Sequence, residues 1–284
     1  MKNKTVLITG ATSGIGKITA TELAKMGAHI ILLARNKSKA TQTKEEIVAA
    51  CGHSNVDIFI TDLSSLQDVR KVAQQINARH EKIDVLINNA GLILGSKREE
   101  SVDGNELTLA TNHLGPFLLT ALLFDLVKKS EHGRVINLSS EAYKIGKADF
   151  ENIQLTTGYS AMRAYGNSKL YNLLFTIELD RRLKEQGIHI HTNALHPGVV
   201  RTGFGKSSNG LAGFIFKVFQ PFFISAEKGA ETSIYLATSA EGGKVSGKYF
   251  KNKKVANTSN KLANEENAKR LWETSEDLTG VKFL

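Results

Sequence analysis

The fold of this chain is decided by residues 5–16, which read TVLITGATSGIG. The apolar run at residues 5–8 has the length of a buried strand, and a glycine-rich segment follows it directly. Glycine at 10 allows a tight exit from the strand, glycine at 14 allows backbone to approach a phosphate, and glycine at 16 allows a helix to pack on the sheet. N–H groups at the start of that helix then face the anion. The segment predicts phosphate contacts from Gly10, Thr12, Ser13, Gly14, Ile15 and Gly16.

The spacing of these glycines is Gly-x-x-x-Gly-x-Gly, which differs from the Gly-x-Gly-x-x-Gly of many dehydrogenases. The alternative interpretation is a strand-to-helix turn that binds nothing. Its position in the first strand-to-helix connection favours the phosphate-binding interpretation.

Strand-like runs alternate with helix-like segments along the chain, as in a parallel sheet covered on both faces. We predict seven strands, at Thr5–Thr9, His29–Leu33, Val56–Ile60, Val85–Asn88, Val135–Ser139, His189–Leu195 and Lys248–Phe250. Helices are predicted around Gly14–Met26, Lys39–Ala50, Leu66–Arg79, Asn105–Lys129, Ser160–Gln186, Glu227–Ser239 and Glu265–Leu278. No linker or repeat divides the 284 residues. We therefore expect residues 1–284 to form a single α/β domain, a Rossmann-type doubly wound parallel sheet.

Composition excludes several classes of protein. Lys and Arg number 37 against 28 Asp and Glu, a net charge of +9, but they are scattered and no nucleic-acid-binding motif accompanies them. We expect no nucleic-acid partner, because cofactor phosphates and solubility account for the charge. The single Cys51 permits no internal disulfide, which is typical of a reducing compartment. Met1–Lys4 leads into a strand and not into a signal peptide or spanning helix, so we expect a soluble cytoplasmic protein.

Histidines at 189, 191 and 196 lie close together near a predicted strand. No flanking carboxylate or cysteine completes a ligand set there, so we predict no metal.

Tyr165 and Lys169 are one helical turn apart, which places both side chains on one helix face. A tyrosine hydroxyl has a pKa of about 10, so it transfers protons slowly at neutral pH unless its anion is stabilised. An ammonium on the same side lowers that pKa. We predict that Tyr165 is a proton donor with Lys169 as its activator; the alternative is an ordinary amphipathic helix face.

The end of the second predicted strand indicates the cofactor. Folds that prefer NAD usually carry an acid there to hold the ribose hydroxyls, whereas this chain has Ala34 followed by Arg35, with Lys37 and Lys39 nearby. A guanidinium in place of an acid favours a 2′-phosphate, so we predict NADP(H). The alternative is a solvated basic loop.

Together these segments resemble the short-chain dehydrogenase/reductase family over nearly the whole chain. The further matching marks are Asp62-Leu63, Asn88-Asn89-Ala90-Gly91, Asn112, Ser139-Ser140, Tyr165 to Lys169 and Pro197-Gly198. Within that family the chain is most similar to the retinol dehydrogenase-like branch, through Asp103-Gly104-Asn105-Glu106, Thr111-Asn112-His113-Leu114-Gly115, His196-Pro197-Gly198 and Arg270-Leu271-Trp272-Glu273. The resemblance implies NADPH-linked carbonyl or alcohol chemistry on apolar small molecules.

The resemblance also implies four catalytic residues, Asn112, Ser140, Tyr165 and Lys169. Lys169 would hydrogen-bond the nicotinamide ribose, Ser140 would hold the substrate oxygen, and Asn112 would carry a water between Lys169 and solvent. Adjacent strand residues point to opposite faces, so a choice between Ser139 and Ser140 is needed. We favour Ser140, because the family's strand-end pattern implies that the second serine contacts the substrate; Ser139 would then be a backbone-bonding residue at the strand end. Pro116 has no N–H, so we expect the Asn112 carbonyl to be free; a merely tolerated kink is the alternative.

The resemblance implies further cofactor contacts beyond the glycine turn. Asp62 and Leu63 would flank the adenine, and the backbone of Asn89, Ala90 and Gly91 would pass close to the cofactor. The nicotinamide carboxamide would meet the segment that contains Pro197, Gly198, Val200 and Thr202. Turn or cap chemistry is the alternative for each of these segments.

Residues 211–224 form the most apolar stretch of the chain, too short and broken to span a bilayer. A substrate-side lid at 203–224, peripheral docking on a membrane, a contact between subunits of a homo-oligomer and plain core packing all fit this composition. Residues facing the substrate are expected mainly in Ile93–Glu99, Tyr143–Tyr159 and Gly203–Ile224.

The sequence therefore predicts an oxidoreductase that transfers hydride between NADP(H) and an apolar aldehyde, ketone or retinoid-like molecule. A non-catalytic NADPH-binding sensor on the same fold is one alternative. A nucleotide-sugar epimerase or dehydratase shares the Tyr and Lys, but that branch usually has a different glycine spacing and a larger C-terminal domain.

Overall fold

The computed structural model describes residues 1–198 and 224–284, and its strands form one sheet. The strands are β1 (Thr5–Thr9), β2 (His29–Ala34), β3 (Val56–Ile60), β4 (Val85–Asn88), β5 (Arg134–Leu138), β6 (His191–His196), β7 (Lys248–Lys251) and β8 (Lys254–Val255). The helices are α1 (Gly14–Lys25), α2 (Lys37–Cys51), α3 (Leu66–Arg79), α4 (Leu107–Lys128), α5 (Ala161–Glu185), α6 (Ala226–Thr238) and α7 (Glu265–Thr279).

Strand order in the sheet is β3-β2-β1-β4-β5-β6-β7-β8. The strands from β3 to β7 are parallel, and β8 is antiparallel to β7. The chain moves outward from β1 to β3 and then crosses back to β4, so the direction of winding reverses between β1 and β4. Parallel sheets bind ligands at the carboxyl ends of the strands beside such a reversal. The predicted Rossmann-type doubly wound fold is confirmed.

The sheet has eight strands where the sequence predicted seven. The additional strand, β8, pairs with β7 through a two-residue turn, in which Asn252 and Lys253 have φ values of 52° and 63°. Positive φ at both central residues is typical of the turn that suits the twist of a hairpin. Both residues of β8 are exposed, so no hydrophobic run marked this strand in the sequence.

Hydrophobic residues pack on both faces of the sheet. One face is covered by α1, α2 and α6, whose buried residues include Leu23, Ile47 and Leu236. The other is covered by α3, α4 and α5, with α7 packed on α5. There Trp272 is 1% exposed, and its ring lies against those of Phe117 and Phe283, with centroids 5.2 and 5.0 Å away.

Helix α4 is long and apolar enough to cross a membrane by length and composition, but 78% of its most apolar window is buried inside the protein. Its residues Phe117, Leu118 and Leu119 belong to the core cluster on that face of the sheet. The apolar character of α4 is therefore accounted for by core packing.

Helix α4 begins at Leu107, not at Asn105, and Ala110–Leu114 form a turn of π-helix. Pro116 supplies no N–H to the carbonyl four residues earlier, so α-helical bonding cannot be continuous there. The N–H of Gly115 instead donates to the carbonyl of Ala110, five residues back. Such π turns are frequent at functional sites, and this one contains Asn112.

Candidate active site

The glycine turn lies against the segment that leaves β4. Gly10 has φ +65°, and a Cβ there would lie 2.8 Å from the Cα of Ala90. Gly14 has φ +51°. A Cβ on Gly16 would lie 2.5 Å from the Gly10 carbonyl oxygen and would also strike the Asn89 amide. Side chains at 10 and 16 would therefore push β1, α1 and β4 apart, as the sequence-based steric argument predicts.

Helix α1 begins without a side-chain cap. Its N-cap residue Ser13 makes no side-chain hydrogen bond to the first turn, although serine is a favoured capping residue. In each of the other six helices in the described part of the chain, the N-cap side chain accepts a backbone N–H. The N–H groups at the start of α1 are left available to an anion, which fits the pyrophosphate of a dinucleotide cofactor.

The side chains of Thr9 and Asn89 join the glycine turn to the end of β4. The Asn89 amide donates to the carbonyls of Thr9 at 2.8 Å and Gly10 at 3.2 Å. The Thr9 hydroxyl accepts from the N–H groups of Asn89 at 3.0 Å and Ala90 at 2.9 Å. The Asn89 side chain thus hydrogen-bonds the glycine turn. The backbone of residues 89–91 is left to face the carboxyl edge of the sheet.

A cleft of about 270 Å³ opens beyond the ends of β2 and β3. Arg35 and Asp62 line it together with Lys71 from α3. Asp62 Oδ1 accepts from the N–H and hydroxyl of Ser64 at 2.9 and 2.7 Å, so that oxygen stabilises its own turn. The sequence did not indicate Lys71, because this residue enters the cleft from a separate element.

The carbonyl of Leu138, the last residue of β5, lies at the centre of a buried polar cluster. It accepts from Lys169 Nζ at 3.0 Å and from the side chain of Asn172 at 3.0 Å, both on α5. Gly91 lies on the other side of the ammonium, and a Cβ there would be 3.2 Å from Lys169 Nζ. Lys169 is only 4% exposed, and its burial lowers the pKa of the ammonium to about 8.

Ser139 and Ser140 point in opposite directions after β5. The Ser139 hydroxyl is buried and donates to the Lys169 carbonyl at 2.7 Å. Ser140 instead accepts from the N–H of Ala142 at 3.2 Å and interacts with the Tyr165 hydroxyl. Alternation along the strand end therefore directs Ser140 to the same place as Tyr165.

Tyr165 lies on α5, with Lys169 Nζ 5.5 Å from the centre of its ring. Burial raises the pKa of the Tyr165 hydroxyl, and the contact with Ser140 only partly opposes that rise. The sequence predicted a lowered pKa for the Tyr165 hydroxyl. In the protein without a bound cofactor this prediction is wrong, because the free-energy cost of burying the phenolate exceeds the stabilisation by Ser140. The hydroxyl is therefore held in its protonated form at neutral pH.

Asn112 joins the segment after β4 to α5 through its side chain. Its Oδ1 accepts from the Leu92 N–H at 2.8 Å, and its Nδ2 donates to the Leu92 carbonyl at 2.9 Å and to Ser168 Oγ at 3.0 Å. A Cβ on Gly91 would be 3.5 Å from the same Oδ1. The sequence assigned a role to the Asn112 carbonyl; the structure adds a side chain that fixes the backbone beside Lys169.

Two groups of supporting residues were missed by the sequence-based reasoning. Buried side chains form a chain of hydrogen bonds beneath the site: Asn88 donates to Thr120 at 3.1 Å and to Asn137 at 2.8 Å, and Asn137 donates to Thr176 at 2.9 Å. His196 Nδ1 accepts from the N–H of Glu141, directly after Ser140, at 3.3 Å. The signal for the first group was asparagine inside two otherwise apolar strands, where an unpaired amide would be costly.

Several predicted residues lie at or beyond the limits of the described structure. Pro197 and Gly198 directly follow β6, and Gly198 has φ +95°, with Ile224 where a Cβ would project. Val200, Thr202 and all but the last residue of the predicted lid region 203–224, which includes the apolar stretch 211–224, fall outside the described residues.

The predicted substrate-side segment after Ser140 packs against residues 95–106. The Arg98 guanidinium donates to the Gln154 carbonyl at 2.9 Å, and the Gln154 amide donates to Asn105 at 2.7 Å. Tyr159 donates to the carbonyl of Gly95 at 3.4 Å. Two of the three segments expected to face the substrate are therefore adjacent.

Known proteins resemble this chain over nearly its whole length. The family model for short chain dehydrogenase matches residues 4–210. Retinol dehydrogenase 12 of Mus musculus is 41% identical over 280 residues, covering 99% of this chain and 87% of the relative. Retinol dehydrogenase 13 of Homo sapiens is 41% identical over 286 residues, covering 98% and 85%.

Solved structures share the fold. A crystal structure of an uncharacterised protein from Mycobacterium paratuberculosis has a TM-score of 0.80 at 32% identity, covering 100% of this chain and 96% of that chain. The Pseudomonas aeruginosa RhlG/NADP active-site complex has a TM-score of 0.70 at 25% identity, covering 88% and 94%.

These relatives assign a reaction class, the oxidation of alcohols or reduction of carbonyls in small molecules with a nicotinamide cofactor. The glycine turn, the uncapped start of α1 and the buried Lys169 beside Gly91 fit such a cofactor. The chain therefore belongs to the short-chain dehydrogenase/reductase family, in its retinol dehydrogenase-like branch.

Proposed function

We propose that this protein transfers hydride between NADP(H) and an apolar aldehyde, ketone or retinoid-like molecule, within one domain formed by residues 1–284. The observation that carries the proposal is the meeting of Ser140, Tyr165, Lys169 and Asn112 at the carboxyl edge of the sheet, beside the uncapped start of α1. The names of the relatives support an apolar alcohol or carbonyl substrate.

The four side chains divide the proton chemistry between them. A bound nicotinamide supplies or accepts the hydride. Tyr165, whose raised pKa keeps it protonated, donates its proton to the carbonyl oxygen in the reductive direction. The Ser140 hydroxyl donates a hydrogen bond to the same oxygen and stabilises its developing charge.

Lys169 and Asn112 assist the proton transfer from Tyr165. Lys169 holds the ribose of the cofactor and stabilises negative charge on Tyr165 after the proton has left. Asn112 holds the Leu92 backbone and Ser168 at fixed positions and carries a water that connects Lys169 to solvent. In this proposal the Asn112 carbonyl receives no N–H from Pro116 and holds the water, while the Asn112 side chain fixes the surrounding backbone.

Mixing the purified protein with NADPH and a panel of apolar aldehydes and ketones, including retinal, tests the proposed reaction. We expect the absorbance of NADPH to decay with at least one member of the panel. Tight NADPH binding without turnover on any member would instead favour the non-catalytic sensor.

Arg35→Asp is expected to reverse the preference for the phosphorylated cofactor. Arg35 and Lys71 are the basic groups lining the cleft at the ends of β2 and β3. A charge-assisted hydrogen bond is worth roughly 1.5–3 kcal/mol, so kcat/KM with NADPH should fall about 10- to 100-fold while that with NADH is maintained or rises. Steady-state kinetics with both cofactors measures this, and Lys44→Asp, at a half-buried position on α2 that does not line the cleft, is the control. An unchanged NADPH to NADH ratio in Arg35→Asp would refute the assignment.

Ser140→Ala and Ser139→Ala are expected to separate catalysis from stability. Loss of a hydrogen-bond donor to the reacting oxygen costs about 10²- to 10³-fold in kcat, so Ser140→Ala should fall by that factor. Ser139→Ala removes a buried bond to the Lys169 carbonyl and should mainly lower the free energy of unfolding, by about 1 kcal/mol. Kinetics and urea unfolding of both variants measure the two effects. If Ser139→Ala abolished turnover and Ser140→Ala did not, Ser139 would be the residue that contacts the substrate oxygen.

We further propose a cytoplasmic location, which the single cysteine supports, and no nucleic-acid partner, which the scattered basic residues support. For residues 211–224, the lid, subunit-contact and membrane-docking interpretations make different predictions. Liposome flotation detects membrane docking, and sedimentation detects a homo-oligomer; a lid alone would give neither signal.

A further inference from the structure

Three potential metal ligands meet at the edge of the sheet opposite the candidate active site. They are His29 at the start of β2, Asp57 on β3 and His80 directly after α3, and their ligand atoms all lie within 4.8 Å of one another. Strand β2 runs from His29 to Ala34, and at about 3.3 Å per residue this separates the cluster from the cofactor edge by about 17 Å. The cluster is therefore independent of the proposed reaction.

The ligand atoms have nearly the spacing that a tetrahedral metal requires. His29 Nε2 lies 2.7 Å from Asp57 Oδ2, and His80 Nε2 lies 3.6 Å from the same oxygen. Bonds of about 2.0–2.1 Å at tetrahedral angles place neighbouring ligand atoms about 3.3 Å apart. Changes of about 0.6 and 0.3 Å, produced by small rotations of the side chains, would bring these two distances to that value.

An ordinary ion pair explains only part of this cluster. A hydrogen bond between His29 and Asp57 accounts for the 2.7 Å contact. The His80 side chain is only 8% exposed, yet its Nε2 has no hydrogen-bond partner among the described residues, and 3.6 Å to Asp57 exceeds hydrogen-bond length. Buried polar atoms without partners are uncommon and call for a physical explanation.

Two neighbouring rings fix the position of the His80 side chain. The rings of Phe59 and His29 pack edge-on against His80, with centroids 5.8 and 5.3 Å away. The unpartnered Nε2 therefore belongs to an imidazole that is held in place by packing.

We propose that His29, Asp57 and His80 bind a divalent transition-metal ion of the zinc class, with solvent completing the coordination. Two imidazoles and one carboxylate are ligands that Zn²⁺ accepts. The side chains of His29 and Asp57 are 35% and 45% exposed, which gives the ion a route of entry. A bound ion would fasten the edge strand β3 to β2 and to the end of α3.

The spacing along the chain concealed this site. His29 and Asp57 are 28 residues apart, and His80 comes from a third element, so no local motif marks them. The sequence-based search considered the neighbouring histidines 189, 191 and 196 and predicted no metal. Pairing of β2 with β3 brings together the ligands that sequence spacing keeps apart.

Isothermal titration of the full-length protein with ZnCl₂ tests the proposal, using protein treated beforehand with a chelator. We expect one equivalent of Zn²⁺ to bind and to raise Tm, since an ion that binds only the folded state stabilises it. Asp57→Asn and His80→Gln each remove one ligand. Each should therefore weaken Zn²⁺ binding by roughly tenfold or more and abolish the rise in Tm. The visible absorption of bound Co²⁺ should disappear in the same variants.

His132→Gln serves as the control, because it removes a histidine outside the cluster. Asp57→Asn keeps the inference testable if His80→Gln fails to fold, since Asp57 is partly exposed and its replacement is of equal size. Failure of the wild-type protein to bind Zn²⁺ would overturn the proposal. So would equal Zn²⁺ affinity in the wild-type protein and in Asp57→Asn, because the ion would then bind elsewhere.

Discussion

Replacement of Tyr165 by Phe is expected to lower kcat/KM for carbonyl reduction by about 10³-fold, near the middle of the range for general acid catalysis. Phenylalanine preserves the half-buried ring against which Lys169 Nζ lies, at 5.5 Å from its centre. What is lost is a hydroxyl whose pKa burial keeps high and which interacts with Ser140. The proton that the substrate oxygen needs would then have to come from water.

Steady-state kinetics, together with NADPH binding by fluorescence, measures this effect. We expect cofactor affinity and Tm to change little, because the replacement keeps the ring in its packing position. Tyr171→Phe is the matched control: Tyr171 is a buried tyrosine on the same helix, and its hydroxyl donates to the Lys147 carbonyl at 3.4 Å. If Tyr165→Phe and Tyr171→Phe were equally active, Tyr165 would not be the proton donor.

Lys169→Met is expected to abolish turnover and, at neutral pH, to make the protein more stable. Burial lowers the pKa of Lys169 from 10.5 to about 8, so the folded protein holds this proton less tightly than the unfolded chain does. Below pH 8 the folded state carries the full cost of the buried ammonium, which this difference places at roughly 3 kcal/mol. Methionine has similar length, carries no charge and removes that cost.

The hydrogen bond to Leu138 limits the gain. Lys169 Nζ donates to that carbonyl, so the substitution loses a charge-assisted bond. The carbonyl keeps its second donor, the Asn172 side chain at 3.0 Å, and is not left unpaired. We therefore expect a net increase of about 1–2 kcal/mol in the free energy of unfolding at pH 7.

The pH dependence has a definite sign. Between about pH 8 and 10.5, the unfolded wild-type chain holds a proton at Lys169 that the folded protein has released. The wild-type protein consequently gains stability relative to Lys169→Met as the pH rises through this window, and the difference shrinks. Urea unfolding of both proteins at pH 7 and pH 10 measures it.

Lys128→Met is the control for the pH series. Lys128 is the last residue of α4, its side chain is 43% exposed, and it pairs at 2.9 Å with Asp125, whose side chain is 83% exposed. Replacing a solvated lysine should change stability little, as expected for an exposed ion pair. If Lys169→Met were less stable than wild type at both pH values, burial would not be the dominant influence on Lys169.

Local features of the fold followed directly from the sequence. The bounds predicted for β1, β3, β4 and α3 agree with the structure, because strand runs and helix periodicity depend on neighbouring residues only. The glycine turn was similarly predictable, since only glycine adopts readily the positive φ that Gly10 and Gly14 have. Tyr165 and Lys169 were identified because they share one helix face.

Less local features were not predictable to the same extent. The π turn around Asn112 depends on how a helix accommodates Pro116, and the sequence only indicated that a hydrogen bond would be missing. The exposed strand β8 carries no hydrophobic run, so its pairing with β7 left no trace in the sequence.

The sequence by itself determined the succession of seven of the eight strands and of the helices along the chain, the glycine turn and the identity of the proposed proton donor. Tertiary structure alone decided that Lys169 and Asn172 share the Leu138 carbonyl, that Lys71 joins Arg35, and that three ligands from β2, β3 and the end of α3 meet. It also decided the direction of the pKa shift of Tyr165. The physical reason is that steric preferences act between neighbours along the chain, whereas burial and electrostatic contact depend on which distant segments the fold brings together.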